Sequence, residues 1–348
     1  MAGRAGGALL HEHSDCAPLA ALLAAFLPLS LPLYATLAAP GLPTPVYASF
    51  PPGSVPEKDA ADDEPFLILA DLGNQLRFFC SAEWPLKQPG DEHYRQKAER
   101  LVGAGLEQYL RDHARGRDRI SVGAIPDIWR PIVRDTFGVE PFSNSEIHYR
   151  TLTDLPAALP NGSTKGASLL PGGVLTTAGR PEDISEILST SEVPHPPAYI
   201  ETRLDHTTVL RSTPQSSDAA ESPPPASSPP PDQTGNSPAA PPPGSILAHC
   251  TTHRDGSIGT LHVSPLARRR GLGTQVYLAR AHAMRDRDGA EYVFSYVHRE
   301  NGESNALMRR VGMRKSAYEV WWARVKLPLA AAAGSSSSGS EAAVAPGA

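Results

Sequence analysis

Leu261-His-Val-Ser-Pro-Leu-Ala-Arg268-Arg-Arg-Gly271-Leu-Gly273-Thr274 is the one stretch of this 348-residue chain in which residue order points directly to chemistry. An extended apolar run meets an arginine and glycine loop, and the loop opens a segment, Thr274 to Met284, with helical spacing at Val276, Ala279, Ala283 and Met284. Gly271 and Gly273 reach backbone angles closed to other residues and put no side chain before their amides, so successive N–H groups can turn toward one anion. The positive end of the helix dipole falls at the same spot, and Arg268, Arg269 and Arg270 add formal charge. Together they suit a pyrophosphate. Two common phosphate loops do not fit: no Gly-Lys-Ser/Thr ending is present, and the third glycine of a dinucleotide fingerprint is missing.

What remains, Arg268-x-x-Gly271-x-Gly273 after Val263-Ser264-Pro265, resembles the acyl-coenzyme A loop of the GNAT superfamily of N-acyltransferases. That loop reads Gln/Arg-x-x-Gly-x-Gly/Ala and follows a strand carrying Val-x-Pro. Downstream, Glu291 to Val297 reads as a strand, Asn301 to Ser304 as a polar helix start, and Leu307, Met308 and Val311 as an apolar face ending at Gly312. Tyr318 to Val325 closes with another strand. Asn301, Ser304, Leu307, Gly312 and Met313 fit the family's second motif.

The resemblance covers residues 170 to 328 and implies an α/β (α+β) GNAT fold: a mixed central sheet with splayed middle strands flanked by helices, preceded by a smaller α/β lobe. It implies acetyl-CoA or another acyl-CoA as co-substrate, a primary amine as acceptor, direct attack on the thioester, and no metal. Backbone groups of Leu261, His262 and Val263 would hold the pantetheine arm and polarise the thioester carbonyl. Arg268, Arg269, Arg270, Gly271, Leu272, Gly273 and Thr274 would grip the pyrophosphate, with Asn301 and Ser304 lining the channel.

The proton chemistry departs from the family pattern. Ser257 stands where many relatives carry a glutamate base, and Met308 where many carry a tyrosine acid. The candidate replacements are Ser257 through an ordered water, Asp255, and His262, which titrates near neutrality. Asp255 before Gly256 also reads as a turn former. Simple alternation puts His262 on the strand face opposite Ser257, as a packed histidine. Tyr296 and His298 are further acid candidates, and Trp321 and Trp322 candidate acceptor-pocket walls.

These residues need a scaffold around them. Gly173 to Ala178 reads as an opening strand, Glu182 to Thr190 as a helix with Pro181 and acidic residues at its start, and Thr207 to Arg211 with Ile246 to Thr252 as an antiparallel pair, followed by a turn at Arg254–Gly256 and the strand that leads into the loop. Between them, 11 of the 32 residues from Thr213 to Gly244 are proline, so this insertion cannot bury a core and is expected to be disordered. Its Pro-Pro-Pro clusters could dock an SH3-like partner, with a passive spacer as the alternative. Ala330 to Ala348 reads as a disordered tail, giving domains at 1–160, 170–328 and a tail 329–348.

In the N-terminal part, Ala17 to Ala39 is long and apolar enough to raise a membrane span, but Pro18, Pro28 and Pro32 argue for a buried pair of helices. Strands are expected at Val46–Phe50, Phe66–Asp71 and Leu76–Cys80, the last two joined at Gly73-Asn74, and an amphipathic helix over Asp91–His113. With Leu29–Leu33 and Ser189–Pro194, this layout resembles the glycine N-acyltransferase-like branch, in which the N-terminal lobe is a degenerate GNAT-like unit.

Composition bounds the remainder. A net charge of −5 without charged blocks gives no footprint for nucleic acid. Cys16, Cys80 and Cys250 are scattered, so neither a disulfide framework nor a zinc site is indicated, and His249 with His253 lacks further ligands. A cytoplasmic, monomeric enzyme without membrane contact is the expectation.

Overall fold

The computed structural model describes residues 9–38, 45–57, 64–73, 75–83, 92–114, 116–155, 174–213 and 241–327. Residues 214–240 of the expected proline-rich insertion, the expected tail 329–348 and the expected boundary between 160 and 170 lie outside the described residues. In chain order, the elements of the first half are β1 (His11–His13), α1 (Ala17–Ala24), α2 (Leu31–Ala38), β2 (Val46–Ala48), β3 (Leu67–Asp71), β4 (Gln75–Cys80), α3 (Glu92–Asp112), β5 (Arg119–Pro126), α4 (Arg130–Phe137) and β6 (Phe142–Thr151). Then follow β7 (Val174–Ala178), α5 (Ile184–Thr190), α6 (Pro197–Glu201), β8 (Thr207–Ser212), β9 (Ile246–Thr252), β10 (Ile258–Val263), α7 (Leu272–Asp286), β11 (Tyr292–His298), α8 (Gly302–Arg310) and β12 (Arg314–Lys326).

The described residues of Met1–Ser14, Thr44–Phe142 and Trp322–Ala348 form one compact unit, and those of Asp15–Pro43 and Ser143–Trp321 a second. In the first unit β1, β2, β3 and β4 pair antiparallel in sequence, and β4 runs parallel to β5. A parallel neighbour needs a crossover, which α3 supplies. Its apolar stripe of Ala98, Val102, Leu106 and Tyr109 is buried, and Gly105 lets the helix come close: a Cβ built there would lie 2.4 Å from Leu67. The β3–β4 turn is fixed by Asp71, whose carboxylate accepts from the Gly73 amide at 2.9 Å, with Gly73 at φ +88°.

The second unit holds the antiparallel sheet β10-β9-β8-β7 and, apart from it, β11, which pairs antiparallel with β6. One isolated parallel bridge, Ser257 to Phe294, lies between β10 and β11 among the described residues. There Ser295 also donates its hydroxyl to the Ile258 carbonyl at 2.7 Å. β10 and β11 therefore touch at one end and belong to different sheets beyond it, which is the splay expected of the middle strands.

Between them in sequence, α7 packs Val276, Tyr277, Ala281 and Met284 into one core with Leu210, Ala248, Cys250 and Ile258, and the same core takes Met308 of α8 and Val311 just after it. The prolines near the start of the chain fit the expected helix pair: Pro18 lies in the first turn of α1 and Pro32 is the second residue of α2, where a missing N–H costs nothing. No described helix is long and apolar enough to cross a membrane.

Candidate functional site

The site begins with a fault in β10. The ladder pairs Ile258 with Thr252 and Gly259 with Thr251, then His262 with His249 and Val263 with Ala248. One extra residue on β10 has entered between, so Thr260 and Leu261 fall out of the ladder, with Thr260 at φ +50°. Residues opposite each other in a ladder share a face, and Thr251 and His249 are two apart. Gly259 and His262 therefore share that face, with Ser257 beside them. This corrects the alternation argument: the bulge, invisible to a period-two reading, turns His262 onto the Ser257 face, where its ring stacks on that of His249 with centroids 5.8 Å apart. Leu261 and Val263 lie instead against the α7 core.

Beyond Val263 the chain turns through Pro265–Ala267, Arg269 takes φ +60°, and Gly271 takes φ +78° as the residue preceding α7. The helix starts at Leu272, two residues earlier than the apolar spacing suggested, so the first-turn amides of Leu272, Gly273 and Thr274 sit where a helix offers no carbonyl. Among the described residues no backbone acceptor takes these amides or that of Gly271. A Cβ built on Gly271 meets nothing within 4 Å, and one on Gly273 would make ordinary contact with Val263 at 3.5 Å.

The Thr274 hydroxyl, in the first turn of α7, is buried with no hydrogen-bond partner among the described residues. Arg268 reaches back, its Nε donating to the Val263 carbonyl at 3.2 Å, which ties loop to strand. The sequence placed all these residues together, and the structure brings them together. They fit a diphosphate: among the described residues, amides without a backbone acceptor, an unmatched hydroxyl and open space in front of Gly271.

Asn301 caps α8, its side-chain oxygen accepting from the Ser304 amide at 3.0 Å, as the polar helix start foretold. Its neighbour Asn305 escaped notice. That side chain is buried and donates to the carbonyls of His298, Arg299 and Asn301, while its oxygen meets Nε2 of His148 at 2.9 Å. Asn305 thus fastens α8 to the end of β11.

The residues proposed for proton transfer separate into two groups. Ser257 is buried and gives both its amide (3.0 Å) and its hydroxyl (2.7 Å) to one carboxylate oxygen of Asp255, so Asp255 is engaged in holding the turn. His262 is half-buried, and burial, then the Arg268 charge, holds its imidazole below the ordinary value. His249 beneath it is fully buried, bonded through Nε2 to Thr190 at 2.9 Å, and burial pushes it down to about 4.

Met308 is in the core. Tyr296 is half-buried with its ring 5.6 Å from Phe294, His298 is exposed, and Trp321 and Trp322 are half-buried. A second cluster, which sequence reasoning missed, consists of Tyr199, His253 and His195. The Tyr199 hydroxyl is 2.8 Å from Nδ1 of His253, and the His195 ring lies 4.8 Å from Tyr199. Nothing in sequence spacing joins α6 to the β9–β10 turn. Among the described residues no group of three metal-ligating side chains occurs.

Residues 241–322 match the family model of FR47-like proteins, a segment that contains the bulge, the glycine loop, α7 and α8. No curated protein matches the chain in sequence. Among solved structures, a Drosophila protein of 16% identity aligns over 92% of this chain and 99% of its own with a TM-score of 0.57. A GCN5-related N-acetyltransferase from Sphaerobacter thermophilus aligns at 15% identity over 91% and 95%, TM-score 0.43. A tandem GNAT protein from the clavulanic acid biosynthesis pathway aligns at 14% identity over 92% and 98%, TM-score 0.43. The chain has a mixed α/β architecture, with its FR47-like segment at the glycine loop.

Proposed function

We propose that the chain is an N-acyltransferase that moves a small acyl group, acetyl being the simplest, from acyl-CoA to a primary amine by direct attack. The observation that carries this reading is the turn at Gly271–Thr274, whose amides lack backbone acceptors and whose buried threonine hydroxyl lacks a partner among the described residues. A diphosphate supplies what these groups miss, and the arginines of the loop add charge of the right sign. Bound acyl-CoA supplies the thioester.

From the loop the pantetheine arm would enter the splay between β10 and β11, with Leu261, freed from the ladder by the bulge, next to the thioester carbonyl. A backbone N–H placed there stabilises the developing oxyanion. Alignment of amine and thioester can itself supply up to about 7 to 11 kcal/mol of the barrier. Asn301 and Ser304 would border the channel through the start of α8. The N-terminal unit, with its hairpin and crossover helix, is proposed as the degenerate lobe of the glycine N-acyltransferase-like branch. A cytoplasmic monomer is proposed, and the proline-rich insertion is proposed as a spacer or an SH3-like ligand.

A second reading is a catalytically idle acyl-CoA binder. Ser257 and the buried Met308, neither able to exchange a proton in place of a carboxylate or phenol, favour it. A thiol-release assay with acetyl-CoA across amino acids and polyamines separates the two. The transferase reading requires turnover with at least one amine. Thermal stabilisation by coenzyme A without turnover would establish the binder, and absence of stabilisation would overturn both.

A further inference from the structure

The face of β10 that lacks a carboxylate at Ser257 holds an imidazole two residues further on. His253 ends the β9 side of the turn, and its ring lies against Gly259: a Cβ built there would be 2.5 Å from Nε2 and 2.9 Å from Cδ2 of His253. The ring occupies the room of a side chain on the strand, and only glycine permits this. Nε2 is 3.3 Å from the Thr260 hydroxyl, and Nδ1 is 2.8 Å from the Tyr199 hydroxyl. The ring is thus gripped at both nitrogens, from α6 on one side and from the bulge on the other, and all three side chains stay half-buried.

The charged and titratable surroundings come from several elements. His195 lies 5.3 Å away from before α6, and Arg254 stands over the Tyr199 ring at 5.6 Å. Arg203 donates to the carbonyls of Thr252 at 2.7 Å and His253 at 3.3 Å, and Asp255 holds Ser257 in the turn. Burial pushes the Tyr199 hydroxyl up to about 12, so it stays protonated as a hydrogen-bonding anchor.

Position relative to the splay decides the role. The bridge from Ser257 to Phe294 marks where β10 and β11 still touch, and Thr260 and Leu261 are where the ladder is interrupted. His253 lies between, against Gly259 and Thr260. We propose that His253, held by Tyr199, is the proton acceptor of this enzyme, filling the place of the carboxylate absent at Ser257. The inference rests on the acyl-transfer reading. The amine nitrogen forms a bond to the thioester carbon, and the carbonyl π pair moves to oxygen. Nε2 of His253, without a proton in the tautomer whose Nδ1–H is donated to the Tyr199 oxygen, takes the proton that the amine nitrogen sheds. Return of the oxygen pair breaks the C–S bond, the sulfur leaves with that pair, and it is protonated by the medium while the imidazolium releases its proton there. Tyr199 is a positioning residue: it fixes the ring and leaves the reacting atoms untouched.

The test uses the full chain, acetyl-CoA, and whichever of glycine, glutamine or spermidine gives the fastest thiol release. His253→Gln is expected to lower kcat/KM by roughly 100-fold or more and to remove the acid limb of its pH profile. Tyr199→Phe should shift the midpoint of that limb with a smaller loss, and both variants should bind coenzyme A as the wild type does in calorimetry. In the wild type, the midpoint of the acid limb must coincide with the titration of the His253 ring followed by NMR, a reading that needs no variant to fold. A His253→Gln enzyme with the parent's rate and profile, or an NMR midpoint away from the limb, would overturn the assignment while leaving acyl transfer intact. Wild-type protein that binds coenzyme A yet turns over no amine would remove the acyl-transfer reading and this role with it.

Discussion

His262 and His249 face each other across β10 and β9 with ring centroids 5.8 Å apart, an arrangement that exists because one extra residue interrupts β10 before His262. Without the bulge, His262 would point to the other face of the sheet and the imidazole pair would not form. The pair also separates two environments: His249 is sealed under α5 and His262 is half-exposed beside Arg268.

The buried member makes folding sensitive to acid. Burial, reinforced by His262, lowers the His249 value from 6.5 to about 4. Between those values the unfolded chain binds a proton that the folded chain refuses, so stability is full above about pH 6.5 and drains as pH falls toward 4. The contribution is roughly 3 kcal/mol across the window. His148, His195, His206 and His262, all shifted down by burial, act in the same direction. Urea midpoints measured from pH 7 to pH 4.5 should therefore fall, and should fall less steeply in His249→Leu. Parallel slopes in the two proteins would contradict the assignment.

The two asparagines of α8 should differ in kind. Asn301→Ala removes one cap bond, a loss of about 1 kcal/mol. Asn305→Ala strips a donor from three carbonyls and a partner from His148, and should cost roughly 3 kcal/mol. Equal denaturation midpoints for the two variants would show that Asn305 does not fasten α8.

Arg280 offers a test of burial against charge. Its side chain is 1% exposed, donates to Thr252 at 2.7 Å and pairs with Asp288. Asp288→Ala leaves a buried cation without its counter-ion and should destabilise by about 3 kcal/mol, whereas Arg280→Met removes the charge itself and should cost much less. Thermal unfolding of both variants decides the order; a larger loss in Arg280→Met would reverse the argument.

The β10–α7–β11–α8 run was legible because its turns are punctuated by residues with one conformational use: Gly271 before α7, Asn301 at the cap, Gly312 at φ +74°. β5, α4 and β6 went unread. The helix α4 is eight residues long and buries only Val133, and β6 opens on exposed Phe142 and Ser143, so neither offers a long stretch in which a buried face stands out. Within the site, the glycine loop was readable because its residues are consecutive in sequence. The face of His262 was not, since a bulge reverses alternation without a residue signature. Tyr199 and His253 are 54 positions apart and meet only through the packing of α6 on the turn after β9.

The central claim is that the turn from Gly271 to Thr274 binds the diphosphate of acyl-CoA. At φ +78° and with open space before its Cα, Gly271→Ala introduces only left-handed backbone strain, about 1 kcal/mol of stability. Gly271→Asp adds a negative charge in front of the amides that would receive the anion. Calorimetric titration of coenzyme A into the wild type, Gly271→Ala and Gly271→Asp tests this most directly. The account predicts saturable binding to the wild type, weaker binding to the alanine variant, and none to the folded aspartate variant. Undiminished affinity in Gly271→Asp, or no binding to the wild type, would contradict it.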